Sequence, residues 1–96
     1  MNTYAIVRRG ICTPDELPQV DARSRAELER RSGQVRKIRS YLLTEPDGRV
    51  GTICIYQATG PEAIHEHGRA ARVAVDEVIP LAAIDVQRPD PEAVTA

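Results

Sequence analysis

KIRSYLLTEPDGRVGTICIYQATGPEAIHEH, residues 37–67, is the segment with the strongest local signals in this 96-residue chain. Its first part continues from Val35 and alternates well enough to Thr44 to predict a strand. Glu45-Pro46-Asp47-Gly48 then carries the residues a tight turn requires. Arg49 to Gln57 reads as the return strand, closed by Thr59-Gly60-Pro61. With Pro61 in the first helical turn, Glu62 to Ala71 reads as a helix.

Working outward, Thr3 to Arg8 (TYAIVR) is a short strand rich in β-formers, stopped by Gly10. Thr13-Pro14-Asp15-Glu16 makes a capping box with Pro at the first helical position, and Pro18 delays the regular helix to near Gln19. Leu17, Val20, Ser24 and Leu28 recur at helical spacing, and Gly33 is placed to end that helix. Val75 to Val86 supplies a last strand, and the ladder-blocking Pro80 favours an edge position for it. Gln87 to Ala96, acidic and proline-containing without apolar periodicity, reads as a flexible tail after a single domain spanning residues 1–86.

The order β-α-β-β-α-β with short right-handed crossovers gives a ferredoxin-like α+β fold, a four-stranded antiparallel sheet with both helices on one face. Such a chain leaves one sheet face open, and pairing of two copies into a dimeric α/β barrel would close it. The composition agrees. The chain is 42% apolar and 28% charged, with three Tyr and neither Phe nor Trp, so its core is built from small parts and gains from association.

Net charge is −1, from 13 basic and 14 acidic residues. Arg23, Arg25, Arg30 and Arg31 are interrupted by Glu27 and Glu29, the alternation of a solvated helix face rather than a nucleic-acid surface. No apolar run is long enough for a membrane helix, and Met1 to Arg9 is too short for a signal peptide, so a cytoplasmic location is expected. Cys12 and Cys54 form no CxxC pair and suit a reducing compartment.

Pairing Glu45 with Gly48 places Arg39 opposite Cys54 and Tyr41 opposite Thr52. Lys37, Arg39, Tyr41, Cys54 and Tyr56 then share one side of the hairpin. Ile38, Leu42, Ile53 and Ile55 line the other side under the helices, together with Ser40. On the second helix Ile64, His67, Gly68 and Ala71 share a face, while His65 is rotated by roughly 200° from His67. His65 and His67 therefore cannot clamp one metal from a regular helix. The expected ligand-binding set is Arg39, Ser40, Tyr41, Cys54 and Tyr56, and the expected metal set is His67, Glu66 and Cys54.

Three segments together resemble a known family: Ile38-Arg39-Ser40-Tyr41-Leu42, Cys54-Ile55-Tyr56 and Pro61-Glu62-Ala63-Ile64-His65-Glu66-His67. The ending from Glu77-Val78-Ile79 to Ile84-Asp85 fits as well. The pattern resembles a bacterial family of small domains of unknown function with nickel-binding members in actinobacteria, and covers roughly residues 3 to 86. The resemblance implies a ferredoxin-like domain that pairs into a dimeric barrel, with some members holding Ni²⁺. His67 matches the His of the family's Glu-His helix, Ser40 and Tyr41 its Ser-Tyr pair, and Cys54 its strand cysteine. Arg39 departs from it, because many relatives carry His there, and a fixed positive charge repels a cation. The hairpin is also longer, with Pro46-Asp47-Gly48-Arg49-Val50 near the turn.

Two functions follow from these residues. The first is a small homodimeric metal- or ligand-binding protein, with Ni²⁺ (or Zn²⁺) held by His67 with Glu66 or Cys54, and no organic cofactor. The alternative is a cofactor-free enzyme or anion binder of the isomerase or monooxygenase kind. There Arg39 would hold an anion, His67 would act as acid/base and Tyr41 would donate to an oxyanion.

Overall fold

The computed structural model describes residues 1–92. The chain runs β1 (Asn2–Cys12), a 3₁₀ turn (Pro14–Glu16), α1 (Leu17–Arg30), β2 (Val35–Thr44), β3 (Val50–Ala58), α2 (Pro61–Ala71) and β4 (Glu77–Pro80). The strands form one sheet in the order β2-β3-β1-β4, every neighbouring pair antiparallel. This is the ferredoxin-like arrangement, with Pro80 on an edge strand as expected. β4 is much shorter than the span from Val75 to Val86. Its ladder stops at Pro80 opposite Tyr4, followed only by a Leu81 N–H bond to the Thr3 carbonyl.

Local chemistry explains the boundaries. The Thr13 N–H donates to Glu16 Oε1 at 2.8 Å, closing the capping box ahead of α1. The helix then buries Val20 and Ser24, with Leu28 against the main core. Its arginines lie outside, where Arg25 pairs with Asp21 and Arg30 and Arg31 pair with Glu27. α2 buries Ala63, Ile64, His67, Gly68 and Ala71, the face that helical spacing predicts. Two ties join the helices across 43 and 48 residues of sequence: His67 to Ser24, and Arg23 Nε to the Ala71 carbonyl at 3.0 Å. The solvated reading fits the exposed Arg25–Asp21 pair, whereas the Arg31–Glu27 pair is partly buried.

The hairpin register differs from the expected one. Thr44 pairs with Val50, which puts Ser40 opposite Cys54, Arg39 opposite Ile55 and Tyr41 opposite Ile53. The turn holds three residues rather than two, with Gly48 at a φ of 86°, and a one-residue slip turns side chains to the opposite face. Ile38 is then an extra residue between Lys37 and Arg39, a bulge that returns Lys37 opposite Tyr56. Cys54 and Tyr56 do share a face, but it is the face beneath the helices. Ile53, Ile55, Arg39 and Tyr41 look out from the open side, and Ile38 is exposed at its bulge.

A second irregularity lies in β1. Arg8 pairs with Thr52, yet Cys12 pairs with Val50, so β1 spends two extra residues there. Gly10 takes a φ of 52° within this kink, a conformation that suits glycine. The kink divides the core. Tyr4, Ile6, Val35, Cys54, Tyr56, Ala58, Ala63 and Ile64 form one buried cluster, and Cys12, Val20, Val50, Ala71 and Val73 another. Between them, directly across the ladder from each other, stand the two polar residues Arg8 and Thr52.

Candidate functional site

A cavity of about 470 Å³ opens between α1 and the sheet at this break in the core. That volume lies within the ordinary range of small-molecule sites. Its apolar wall comes from Ile11, Leu17, Val20, Leu42 and Val73, and its polar wall from Arg8, Ser40, Thr52, Cys54 and Tyr56, with Lys37 and Asp21 also lining it.

Arg8 dominates the electrostatics. The residue is 3% exposed, and its Nε and Nη2 have no hydrogen-bond partner among the described residues. Nη1 donates to Cys54 Sγ at 3.6 Å, and the guanidinium carbon lies 5.7 Å from the centre of the Tyr56 ring. No carboxylate among the described residues forms an ion pair with it. Sulfur and an aromatic face offset only part of the cost of burying a cation, which runs to several kcal/mol without a counter-charge. Thr52 Oγ1, 6% exposed, likewise has no partner among the described residues. Burial pushes the Tyr56 phenol above its ordinary value, and the charge of Arg8 acts in the opposite direction.

The structure divides the expected ligand-binding set between the two faces of the sheet. Ser40, Cys54 and Tyr56 line the cavity, with Ser40 Oγ 3.1 Å from Cys54 Sγ. Arg39 and Tyr41 lie on the opposite sheet face. There both donate to Asp90 Oδ2, at 2.7 and 2.8 Å, within the segment expected to be a tail. The part of that tail at 93–96 lies outside the described residues.

His67 is fully buried, as required for a role inside the fold, but its contacts make it a tie between helices. Nε2 is 3.1 Å from the Ser24 carbonyl and 3.3 Å from Ser24 Oγ. A carbonyl only accepts, so Nε2 carries the proton and the ring is held in that tautomer. Its edge meets Tyr56 at 5.8 Å between centroids. Burial pushes the imidazole below its ordinary value, only partly countered by the Ser24 bond, while Arg8, Arg31 and Lys37 add to the lowering. The ring is therefore neutral at physiological pH.

The residues present do not fit a metal centre. Among the described residues no three His, Cys, Asp or Glu side chains are gathered around one point, so His67, Glu66 and Cys54 do not form the expected set. Glu66 is on the exposed side of α2, His67 Nε2 is committed to Ser24, and Cys54 has a guanidinium beside it. Such a charge opposes a divalent cation at the sulfur.

The helices packed on one face of a β2-β3-β1-β4 sheet have counterparts among solved structures. The fold is ferredoxin-like. The protein SCO4226 from Streptomyces coelicolor A3(2) is similar at 20% identity over 86% of this chain and 99% of its own, with a TM-score of 0.65. SnoaB, a cofactor-independent oxygenase from Streptomyces nogalater, is 22% identical over 93% of this chain and 100% of its own, with a TM-score of 0.46. At 20% identity the likeness to SCO4226 is one of fold. No protein-family model and no curated protein sequence matches the chain.

Arg8 and Thr52 are the site residues that sequence reasoning missed. In Tyr4-Ala5-Ile6-Val7-Arg8-Arg9 both alternating sets read apolar, apolar, Arg, so alternation cannot say which arginine turns inward. The usable signal was Gly10: a glycine two residues past Arg8, followed by Ile11-Cys12, marks a bulge inside a longer strand rather than its end.

Proposed function

We propose that this protein binds a small organic anion, a carboxylate or enolate with an apolar body, in the cavity between α1 and the sheet. The carrying observation is the buried Arg8, whose Nε and Nη2 make no hydrogen bond among the described residues. Those two N–H groups form the edge with which a guanidinium grips a carboxylate in two parallel bonds. Thr52 and Ser40 can add hydroxyl contacts, and Ile11, Leu17, Val20, Leu42 and Val73 suit the apolar remainder. This keeps the anion-binding alternative and moves its charge from Arg39 to Arg8. Ligand binding, rather than acid/base catalysis, is favoured because His67 spends its Nε2 proton on Ser24.

Calorimetric titration with benzoate and medium-chain carboxylates tests the reading, with the matching amides as neutral controls. Saturable binding of the acids is expected, weakened roughly tenfold or more by Arg8→Met, the scale of losing a charge-assisted bond. Equal affinity for acid and amide would overturn it.

Pairing of two copies through the open sheet face belongs to the same proposal. That face carries Tyr41, 41% exposed, and Ile79, 38% exposed, beside the half-buried Ile53 and Ile55. Light scattering at micromolar concentration should give twice the chain mass, and Ile55→Asp should reduce it to one. A monomer mass for the parent chain would remove this part of the proposal.

A further inference from the structure

Cys54 lies against the same cavity wall with an unusual set of neighbours. The residue is 3% exposed, its Sγ is 3.1 Å from Ser40 Oγ, and Arg8 Nη1 donates to it from 3.6 Å. Arg8 Nε and Nη2, on the same guanidinium, and Thr52 Oγ1, two residues before Cys54 on β3, make no hydrogen bond among the described residues. Arg8 is itself more than nine-tenths buried and lines the cavity. A sulfur nucleophile beside unsatisfied cationic and hydroxyl donors is the arrangement needed to split a bond between two oxygens. Such N–H and O–H groups are the kind that stabilise charge developing on a departing oxygen.

Cys12 supplies an internal contrast. It is equally buried, at 2%, but packs in the apolar cluster of Val20, Val50, Ala71 and Val73. Burial, the largest influence on it, pushes that thiol above its ordinary value. A purely structural thiol looks like Cys12.

The geometry points to a second activity at this site: Cys54 reduces small organic hydroperoxides, becoming a sulfenic acid. The sulfur attacks the terminal peroxide oxygen, so that an S–O bond forms as the O–O bond breaks. Sulfur is oxidised by two electrons, which the hydroperoxide takes up. The thiol proton passes by way of Ser40 Oγ to the oxygen left behind, which departs as an alcohol. Arg8 and Thr52 hold that oxygen, and the apolar wall accommodates its organic group. The step is stoichiometric in hydroperoxide and uses no metal. It shares Arg8 with the anion site but does not depend on a carboxylate binding there.

The test is oxidation of the full chain by cumene hydroperoxide in the presence of dimedone, which traps sulfenic acids, followed by peptide mass mapping. One adduct on Cys54 and none on Cys12 is expected. Thr52→Val and Arg8→Met should each slow the reaction roughly tenfold or more, as loss of an oxyanion donor does. Thr52→Val is close to isosteric and carries the test if Arg8→Met fails to fold by circular dichroism. Benzoate should protect Cys54. Equal labelling of the two cysteines, or an unchanged Cys54 rate in Thr52→Val, overturns the proposal. An inert Cys54 in a chain that still binds benzoate overturns this activity while leaving the anion site standing.

Discussion

The two faces of the sheet each depart from the usual division of labour in one place. The face under the helices, where an apolar core belongs, carries Arg8, Thr52, Ser40 and Cys54 in its middle. The open face carries Ile53, Ile55 and Ile79, with Arg39 and Tyr41 toward the β2 edge. Burial therefore costs free energy where the cavity is, and apolar surface stays uncovered where water is. A protein of this size has stability of only about 5–15 kcal/mol at most, so an unpaired buried arginine is retained at real cost. The proposed anion site accounts for that cost by letting the counter-charge arrive with a ligand, and the proposed pairing of two copies would cover the outer face.

The contrast is broken most sharply by emptying the protected face. His67→Ala removes a fully buried ring, its bond to Ser24 and its contact with Tyr56. A loss of about 3 kcal/mol in urea unfolding is expected, in the range for large-to-small substitutions in a core. Ile53→Ala, half-buried on the open face, should cost about 1 kcal/mol or less for the monomer. Equal losses would show that the two faces are not energetically distinct.

Arg8→Met sharpens the comparison in the opposite direction. Replacing an unpaired buried cation by an apolar side chain of similar length should raise stability by about 1–3 kcal/mol, while anion binding falls. Stability gained together with binding lost is the signature of a functional residue in a core position. A variant less stable than the parent would mean that the contacts with Tyr56 and Cys54 already compensate the charge.

The legible part of this fold was its punctuation. Thr13 to Glu16, Glu45 to Gly48, and Gly60-Pro61 mark turns and caps by local hydrogen-bonding chemistry, and the spacing of Ile64, His67, Gly68 and Ala71 fixes the buried face of α2. The faces of the hairpin were not legible, because both alternating sets are plausible cores. Ile53 and Ile55 are the more apolar pair, yet Cys54 and Tyr56 go inward. The deciding quantity is whether the turn holds two residues or three, together with one bulge at Ile38, and these cancel within a single strand. Arg8 was hidden for the same reason: inward and outward positions of β1 look alike until Gly10 is seen as part of a kink.

Acid probes the helix side more gently. His67 has a folded-state value below its ordinary 6.5, first because burial disfavours the imidazolium. The unfolded chain then binds the proton more readily than the folded one, so stability rises with pH across the gap. The contribution is complete above about 6.5 and is lost as pH falls from there through the lowered folded value. Urea midpoints measured from pH 8 to pH 5 should fall in the parent and stay flatter in His67→Gln, with a smaller total change than His67→Ala produces at neutral pH.

The smallest effect belongs to the open face. Arg39 and Tyr41 both donate to one oxygen of Asp90, a short and well-formed pair of bonds that looks like a strap across the sheet. Exposure argues against reading it as a source of stability, since the side chains of Arg39 and Asp90 are 51% and 44% exposed. Water and salt compete for each partner there, and ordering two side chains offsets much of the attraction. Asp90→Ala should therefore move Tm by no more than about a degree, and added salt should not enlarge the difference. A drop of several degrees would show that residues 81–92 brace the sheet, and would make the open face a second organised surface rather than the uncovered side of a one-sided core.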